Sequence, residues 1–225
     1  MDPSTLDNAV WHSLTGAHQM FAERTGGAGR YDPNVSVFAA VDEFDDASWR
    51  DLAALVGPGG TAVLFRADIP ETPPTLEHLG GGVGHQMVLR NLAPVDVPAV
   101  RVLGLTDAEE MQALVKLTEP GPFRPRTVEL GTYFGVFHEG ALVAMAGERL
   151  RVPGYTEISA VCTHPNHRGQ GLAAGLTAHV ARGILARGDT PFLHHAADND
   201  PARRVYDALG FEFRREVGIA VVGMP

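Results

Sequence analysis

Hydrophobic and polar positions in the first part of the chain predict an alternation of helices and strands. A helical pattern covers 10–22, and the apolar run at 35–41 is predicted as a strand. A second helix leads through a glycine-rich turn at 57–60 into a strand at 61–65. This part of the chain therefore predicts a small αβ lobe.

A glycine run and a proline-containing stretch lie at the end of this lobe. The glycine run at 80–84 is interpreted as a flexible turn before a short strand at 86–89, and no helix start follows it that could bind phosphate. The proline-containing stretch 93–97 predicts a linker. We therefore divide the chain into an N-terminal lobe, 1–97, and a C-terminal domain, 98–225.

The C-terminal part has a more regular pattern. Thr106 and Glu109 have the spacing of a capping box, so a helix is predicted to begin there. Two strand-like runs, 133–138 and 141–150, flank the pair Glu139-Gly140, which is typical of a β-hairpin turn. A third strand is predicted over 155–163. Strict alternation would place Glu157, Ser159 and Val161 on one face of it and Ile158, Ala160 and Cys162 on the other.

Composition and charge narrow the class of protein. The 225 residues carry a net charge of −9, which argues against a nucleic-acid footprint because phosphate binding needs clustered basic residues. No apolar run approaches the length that spans a bilayer, and the N-terminus lacks an export signal, so we expect a cytoplasmic protein with no membrane partner. Lys116 is the only lysine among 18 basic residues, which we attribute to coding bias in a bacterial source. A single cysteine, Cys162, excludes an internal disulfide.

The most informative segment follows the third strand. The strand end 161–163 leads into the sequence Arg-Gly-Gln-Gly-Leu-Ala at 168–173, where a helix is predicted to begin. Unpaired backbone amides at a helix N-terminus attract anions, and glycines allow phosphate oxygens to approach the main chain closely. Arg168 can add charge-assisted hydrogen bonds. The loop therefore predicts a site for a diphosphate.

A second motif lies further along the chain. A strand at 191–196 leads into a segment whose notable residues are Asn199, Ala202, Tyr206, Gly210 and Phe211. Together with the glycine loop, and in this order, the segment resembles the GNAT acetyltransferase superfamily over about residue 105 to the C-terminus. The resemblance implies an α/β fold with a mixed, mostly antiparallel central sheet flanked by helices. The layout also resembles the glycine-N-acyltransferase-like branch, in which a degenerate GNAT-like lobe precedes the active domain.

The resemblance also implies the co-substrate, which is acetyl-CoA or another acyl-CoA, with no metal. The residues expected to bind it are Val161, Cys162, Thr163, Arg168, Gly169, Gln170, Gly171, Leu172, Ala173, Asn199 and Tyr206. The residues also allow other roles that do not depend on the resemblance. Asn199 is equally suited to cap the last helix, and Tyr206 is equally suited to pack in the core.

We expect an N-acetyltransferase in which a primary amine attacks the thioester directly. By resemblance, Tyr206 protonates the leaving thiolate, and Glu157 is the first candidate for the base; His138 and His194 are alternatives. A strand amide near Cys162 is a candidate oxyanion donor. A nucleophilic role for the Cys162 thiol is disfavoured because no partner base is identifiable.

A metal site is also disfavoured, although four histidines are candidates for one: His164, His167, His194 and His195. The expected partner is a small-molecule or peptide amine, and a homodimer remains open. Two other classes stay open as well: a catalytically silent acyl-CoA-binding regulator and a dinucleotide-binding module, whose fingerprint would end here in Ala174 instead of glycine.

Overall fold

A mixed sheet of eleven strands runs through residues 2–224, the part of the chain that the computed structural model describes. The strands are β1 (Ala22–Thr25), β2 (Ala28–Tyr31), β3 (Phe38–Val41), β4 (Thr61–Arg66), β5 (Glu77–Leu89), β6 (Arg101–Leu103), β7 (Tyr133–His138), β8 (Ala141–Val152), β9 (Tyr155–Thr163), β10 (Thr190–Ala196) and β11 (Phe211–Gly223). The helices are α1 (Ala9–Thr15), α2 (Asp46–Val56), α3 (Ala108–Thr118), α4 (Leu172–Ala186) and α5 (Asp200–Leu209).

The strand order is β1-β2-β3-β4-β11-β5-β10-β9-β8-β7-β6. Among the described residues only β3 with β4 and β9 with β10 pair in parallel, and every other pair is antiparallel. This confirms the predicted mixed, mostly antiparallel sheet. It also excludes the dinucleotide-binding alternative, because that fold requires a mostly parallel sheet.

The two halves of the chain have a similar order of elements and exchange their last strands. Strands β3 and β4 are joined through α2, as β9 and β10 are joined through α4. The next strand of the first half, β5, pairs with β10, whereas β11 pairs with β4, and β5 and β11 pair with each other. The predicted boundary at 97/98 lies in the segment between β5 and β6 and stays a prediction, but the sheet itself continues across it.

Helices cover both faces of the sheet. The buried stripe of α4, which includes Leu176, Val180 and Ile184, packs with α5 against residues of the central strands such as Ile158 and Leu193. On the opposite face, α1 packs over β3 and β8, and α3 packs over β8 and β9. None of the described helices is long and apolar enough to cross a membrane.

The predicted hairpin is confirmed. Strands β7 and β8 are joined by Glu139 and Gly140, whose φ angles are 52° and 83°. Positive φ at both central residues is what a two-residue turn needs to match the twist of the strands.

The glycine run at 80–84 is not a turn, as the sequence suggested, but the middle of β5. A Cβ atom on Gly81 would lie 2.0 Å from the carbonyl oxygen of Ile219. Glycine is therefore needed here for the close approach of β11, and not for flexibility.

One predicted helix end and one predicted helix start also differ from the structure. The helix predicted over 10–22 ends at Thr15, because Gly16 takes a non-helical conformation. The predicted capping box at Thr106 is wrong: the side chain of Asp107 accepts a hydrogen bond from the backbone N–H of Gly104 at 2.9 Å, and α3 begins at Ala108.

The predicted faces of β9 are wrong beyond Ser159, because a β-bulge interrupts the alternation. Ser159 pairs with Gly147 and Cys162 pairs with Met145, so two residues of β9 lie opposite one residue of β8. Ala160, with φ of 52°, is one of the two. As a result Ile158 packs under α4, whereas Cys162 packs on the opposite face under α3.

The strand exchange predicts that residues 98–225 do not fold alone. Removal of the first half takes away β5, so that β10 and β11 each lose a central partner. We expect no cooperative thermal transition by circular dichroism for the fragment 98–225. Co-expression with 1–97 should restore one, and a cooperative transition of the fragment by itself would contradict the expectation.

Candidate active site

The site is built where the parallel strands β9 and β10 separate. They pair from Tyr155 with Thr190 to Ile158 with Leu193 and no further. Beyond that point the bulge at Ala160 redirects β9, and the backbone of 159–163 has no partner on the β10 side. A wedge therefore opens between the strands.

A cleft of about 460 Å³ occupies one side of this wedge. Every residue that the sequence predicts to bind acyl-CoA lines it except Gln170, which is exposed. Ala202, which belongs to the second motif, also lines the cleft. The sequence did not indicate a place in the cleft for Thr118, Glu119 and Pro120, because the loop after α3 carries no motif of its own. Further walls are His167, Ala174, Pro201 and Val205.

The glycine loop forms an uncapped helix start at one end of this cleft. Gly169 and Gly171 have φ angles of 77° and 74°, a conformation that favours glycine. Gly171 precedes the first residue of α4 and provides no side-chain hydrogen bond to the first-turn amides. These amides, the helix dipole and Arg168 make the end of the cleft suited to a diphosphate.

The equivalent helix start in the first half, that of α2, is already capped by a side chain. The Asp45 carboxylate accepts a hydrogen bond from the backbone N–H of Ser48 at 2.7 Å and so caps α2. A carboxylate at this position also repels a phosphate. The sequence of residues 1–97 likewise has no counterpart of the glycine loop at 168–173.

Asn199 and Tyr206 lie at the other end of the cleft. The Asn199 side chain accepts a hydrogen bond from the backbone N–H of Ala202 at 3.1 Å, so the helix-capping interpretation of Asn199 is confirmed. Tyr206 is buried, and burial raises the pKa of its phenol above the ordinary value. The hydroxyl therefore stays protonated and can donate a hydrogen bond into the cleft.

A second cleft, of about 300 Å³, adjoins the first. Both clefts share the residues Glu119, Pro120, Val161, Asn199, Ala202 and Tyr206. Further walls come from the first half, through Phe38, Val63 and Phe65, and from Ile219 on β11. Both halves of the chain therefore form this second cleft.

Glu157 lies beneath the second cleft in a buried ionic network. Its carboxylate accepts hydrogen bonds from Arg149 Nε at 2.7 Å and Nη2 at 2.6 Å, and from His194 Nδ1 at 2.7 Å. Burial by itself would raise the pKa of Glu157, but the charge and hydrogen bonds of Arg149 lower it to about 2. Such a carboxylate is a poor proton acceptor, so the geometry favours a positioning role for the predicted base.

His194 is held at both ring nitrogens. Because Glu157 can only accept, Nδ1 of His194 donates to it, and Nε2 accepts from the amide nitrogen of Gln86 at 3.0 Å. Burial lowers the pKa of His194, which keeps the imidazole neutral. The other candidate base, His138, lies beside His167 with ring centroids 5.0 Å apart, outside the residues that line either cleft.

Cys162 and the histidines give no sign of further chemistry. Burial raises the pKa of the Cys162 thiol to about 11, which keeps it protonated and unreactive. His194 and His195 project to opposite faces of β10, where they contact Phe65 and Tyr206 respectively. Within residues 2–224 no group of three or more His, Cys, Asp or Glu side chains is arranged to hold a metal ion.

Comparisons with known proteins agree with the fold. The family model described as FR47-like protein matches residues 133–218. A crystal structure from Novosphingobium aromaticivorans, assigned to the GNAT family of acetyltransferases, is 38% identical, with a TM-score of 0.90 and 98% of each chain covered. Among proteins with curated descriptions, no sequence matches.

More distant structures share the fold. A GCN5-related N-acetyltransferase from Kribbella flavida is 21% identical, with a TM-score of 0.62, and the match covers 97% of this chain and 95% of that one. A GCN5-related N-acetyltransferase-like protein from Streptococcus suis is 14% identical, with a TM-score of 0.54 and coverage of 95% and 92%.

The chain therefore belongs to the GNAT family of acetyltransferases, and its fold and relatives support acyl transfer as its chemistry. The narrower placement in the glycine-N-acyltransferase-like branch stays a prediction, as does the degenerate origin of the first half.

The buried network predicts a specific pH dependence of stability. Replacement Glu157→Gln leaves the Arg149 charge buried without a partner, so we expect the free energy of unfolding near neutral pH to fall by about 3 kcal/mol. Because folding lowers the pKa of Glu157 from 4.5 to about 2, its contribution is complete above pH 4.5 and is lost as the pH falls through 2.

Thermal denaturation of both proteins across this pH range checks the prediction. The difference in unfolding free energy should shrink as the pH falls from 4.5 towards 2. A difference that is independent of pH, or a variant as stable as the parent, would contradict the assigned ion pair.

Proposed function

We propose that this chain transfers an acetyl group from acetyl-CoA to a primary amine, which is a small molecule or the amino group of a peptide. The observation that carries the proposal is the continuous pair of clefts, with an uncapped helix start at one end and a protonated tyrosine at their junction. This arrangement fits a long anionic acyl carrier on one side and an acceptor on the other.

The protein groups available to the acyl carrier match its chemistry. Amides of the first turn of α4 and the Arg168 guanidinium would bind the diphosphate. The free edge of β9 at 160–163 would pair with the amides of the pantetheine arm, as an extended peptide pairs with a sheet edge. Acetyl-CoA supplies the activated acyl group as a thioester.

The proposed transfer needs no covalent enzyme intermediate. The amine nitrogen attacks the thioester carbonyl carbon, a C–N bond forms, and the C–S bond breaks. The Tyr206 hydroxyl gives its proton to the leaving thiolate, and a backbone N–H near Cys162 stabilises the negative oxygen. We propose that the amine proton leaves through water in the second cleft, because Glu157 and the Nε2 atom of His194 are already engaged.

The other expectations stay predictions. They are a cytoplasmic location, a bacterial source, the absence of nucleic-acid and membrane partners, and an open choice between a monomer and a homodimer.

The first experiment tests binding and transfer together. We expect titration calorimetry to detect binding of CoA and acetyl-CoA, and a panel of primary amines to release free thiol from acetyl-CoA. Arg168→Ala should raise the Kd for CoA about tenfold or more, because a charged hydrogen bond to phosphate is lost. Arg204→Ala, on the exposed side of α5, serves as the matched control.

Three results separate the alternatives. No binding of CoA would overturn the proposal. Binding without thiol release from any amine would favour the acyl-CoA-binding regulator. Equal Kd values for Arg168→Ala and Arg204→Ala would remove Arg168 from the diphosphate site.

The role of Tyr206 is tested separately. Tyr206→Phe should lower kcat about a hundredfold, because the general acid is lost, while the Kd for CoA stays unchanged. Tyr133→Phe is the control: the Tyr133 hydroxyl is buried with no hydrogen-bond partner among the described residues, so its loss should cost little. An unchanged kcat for Tyr206→Phe would show that the thiolate takes its proton elsewhere.

A further inference from the structure

We infer that Glu119 binds the positive charge of the acceptor, so that the acceptor class is a protonated aliphatic amine with an apolar body. The inference rests on the proposed function and deepens it. It starts from the position of Glu119, which directly follows α3 and lines both clefts at their junction.

Glu119 is the one acidic side chain among all the described residues that line the two clefts. It is exposed, and within residues 2–224 no basic side chain lies within ion-pair distance of its carboxylate. The carboxylate is therefore available to a ligand.

The backbone at Glu119 has an unusual conformation for this residue type. With φ of 48° and ψ of 52° it is left-handed, which glycine adopts at lower cost. Its N–H donates to the Val115 carbonyl at 2.7 Å, and Pro120 follows it directly. A glycine would serve the helix end better, so the presence of a carboxylate at this position points to a use for its charge.

The groups around Glu119 leave the junction negative. Arg149 is bound to Glu157, and burial lowers the pKa values of His194 and His195, which keeps both neutral. Arg168 lines the first cleft, where the diphosphate of the acyl carrier would bind it. The C-terminal end of α3 adds partial negative charge, in part offset by exposed Lys116.

The walls of the second cleft, where we place the acceptor, determine the shape of the ligand. The walls from the first half and β11 are apolar: Phe38, Val63, Phe65 and Ile219. An ammonium group beside Glu119 with an apolar group against these side chains satisfies both parts of the cleft. Benzylamine has these features, and aniline has the same ring with an amino group that is neutral near pH 7.

Thiol release from acetyl-CoA, measured with benzylamine and with aniline, tests the inference. For Glu119→Gln we expect the KM for benzylamine to rise about tenfold, because a charged hydrogen bond is lost, with kcat little changed. The KM for aniline and the Kd for CoA should stay at wild-type values. Glu110→Gln, which changes an exposed glutamate on α3 outside both clefts, is the matched control.

A second variant separates binding from backbone structure. Glu119→Gly should raise the KM for benzylamine as much as the glutamine variant does. Because it relieves the left-handed strain, it should also raise Tm by about 2–4 °C. A purely structural role would move Tm and leave the KM unchanged.

The outcomes distinguish this inference from the proposed function. A wild-type KM for benzylamine in Glu119→Gln overturns the inference and leaves the acetyltransferase proposal intact. If the wild-type protein releases no thiol with either amine, calorimetric titration of benzylamine into the CoA complex decides. Binding weakened by Glu119→Gln supports the recognition role, and equal binding or none overturns it.

Discussion

The end of hydrogen bonding between β9 and β10 is the constraint on which the site depends. Parallel pairing stops at Ile158 and Leu193, and the bulge at Ala160 turns the rest of β9 away. Separated strands leave backbone groups that must find partners, and water or a ligand can supply them. The same separation gives α4 and α5 room to present an uncapped helix start and a buried tyrosine to one space. One local irregularity thus creates the unpaired edge of β9 and the space in which the two clefts meet.

The first half has a comparable opening, which its own side chains fill. Strands β3 and β4 pair in parallel only over Phe38–Ala39, and beyond this Arg66 donates hydrogen bonds to the carbonyls of Val41 and Asp42. The Asn8 amide also donates to the Val41 carbonyl, and the cavity left there is about 10 Å³. With its helix start capped as well, this half has no cleft between β3 and β4 comparable to the one between β9 and β10. Its contribution is instead an apolar wall of the second cleft.

The exchange of β5 and β11 links these two roles. Because each half completes the sheet of the other, the first half is held in fixed register against the active one. Apolar residues of β3 and β4 therefore reach the second cleft as part of a continuous sheet, and the buried Arg149–Glu157–His194 network contacts Phe38 and Phe65.

The sequence by itself determined the features that depend on neighbours along the chain. The left-handed turn at Glu139-Gly140, the glycines that open the start of α4, and the Asn199 cap all follow from local backbone preferences. The tertiary structure alone decided the place of the glycine run in β5, the reversed faces of β9 beyond its bulge, and the pairing of Glu157 with Arg149. It also decided the position of Glu119 at the junction of the clefts. The place of the glycine run depends on a contact between residues far apart in the sequence, Gly81 with Ile219, and no local pattern encodes which distant strand becomes the neighbour. The bulge of β9 and the Arg149–Glu157 pair lie within one hairpin, but they depend on register shifts between β8 and β9 that the alternation of residues does not indicate.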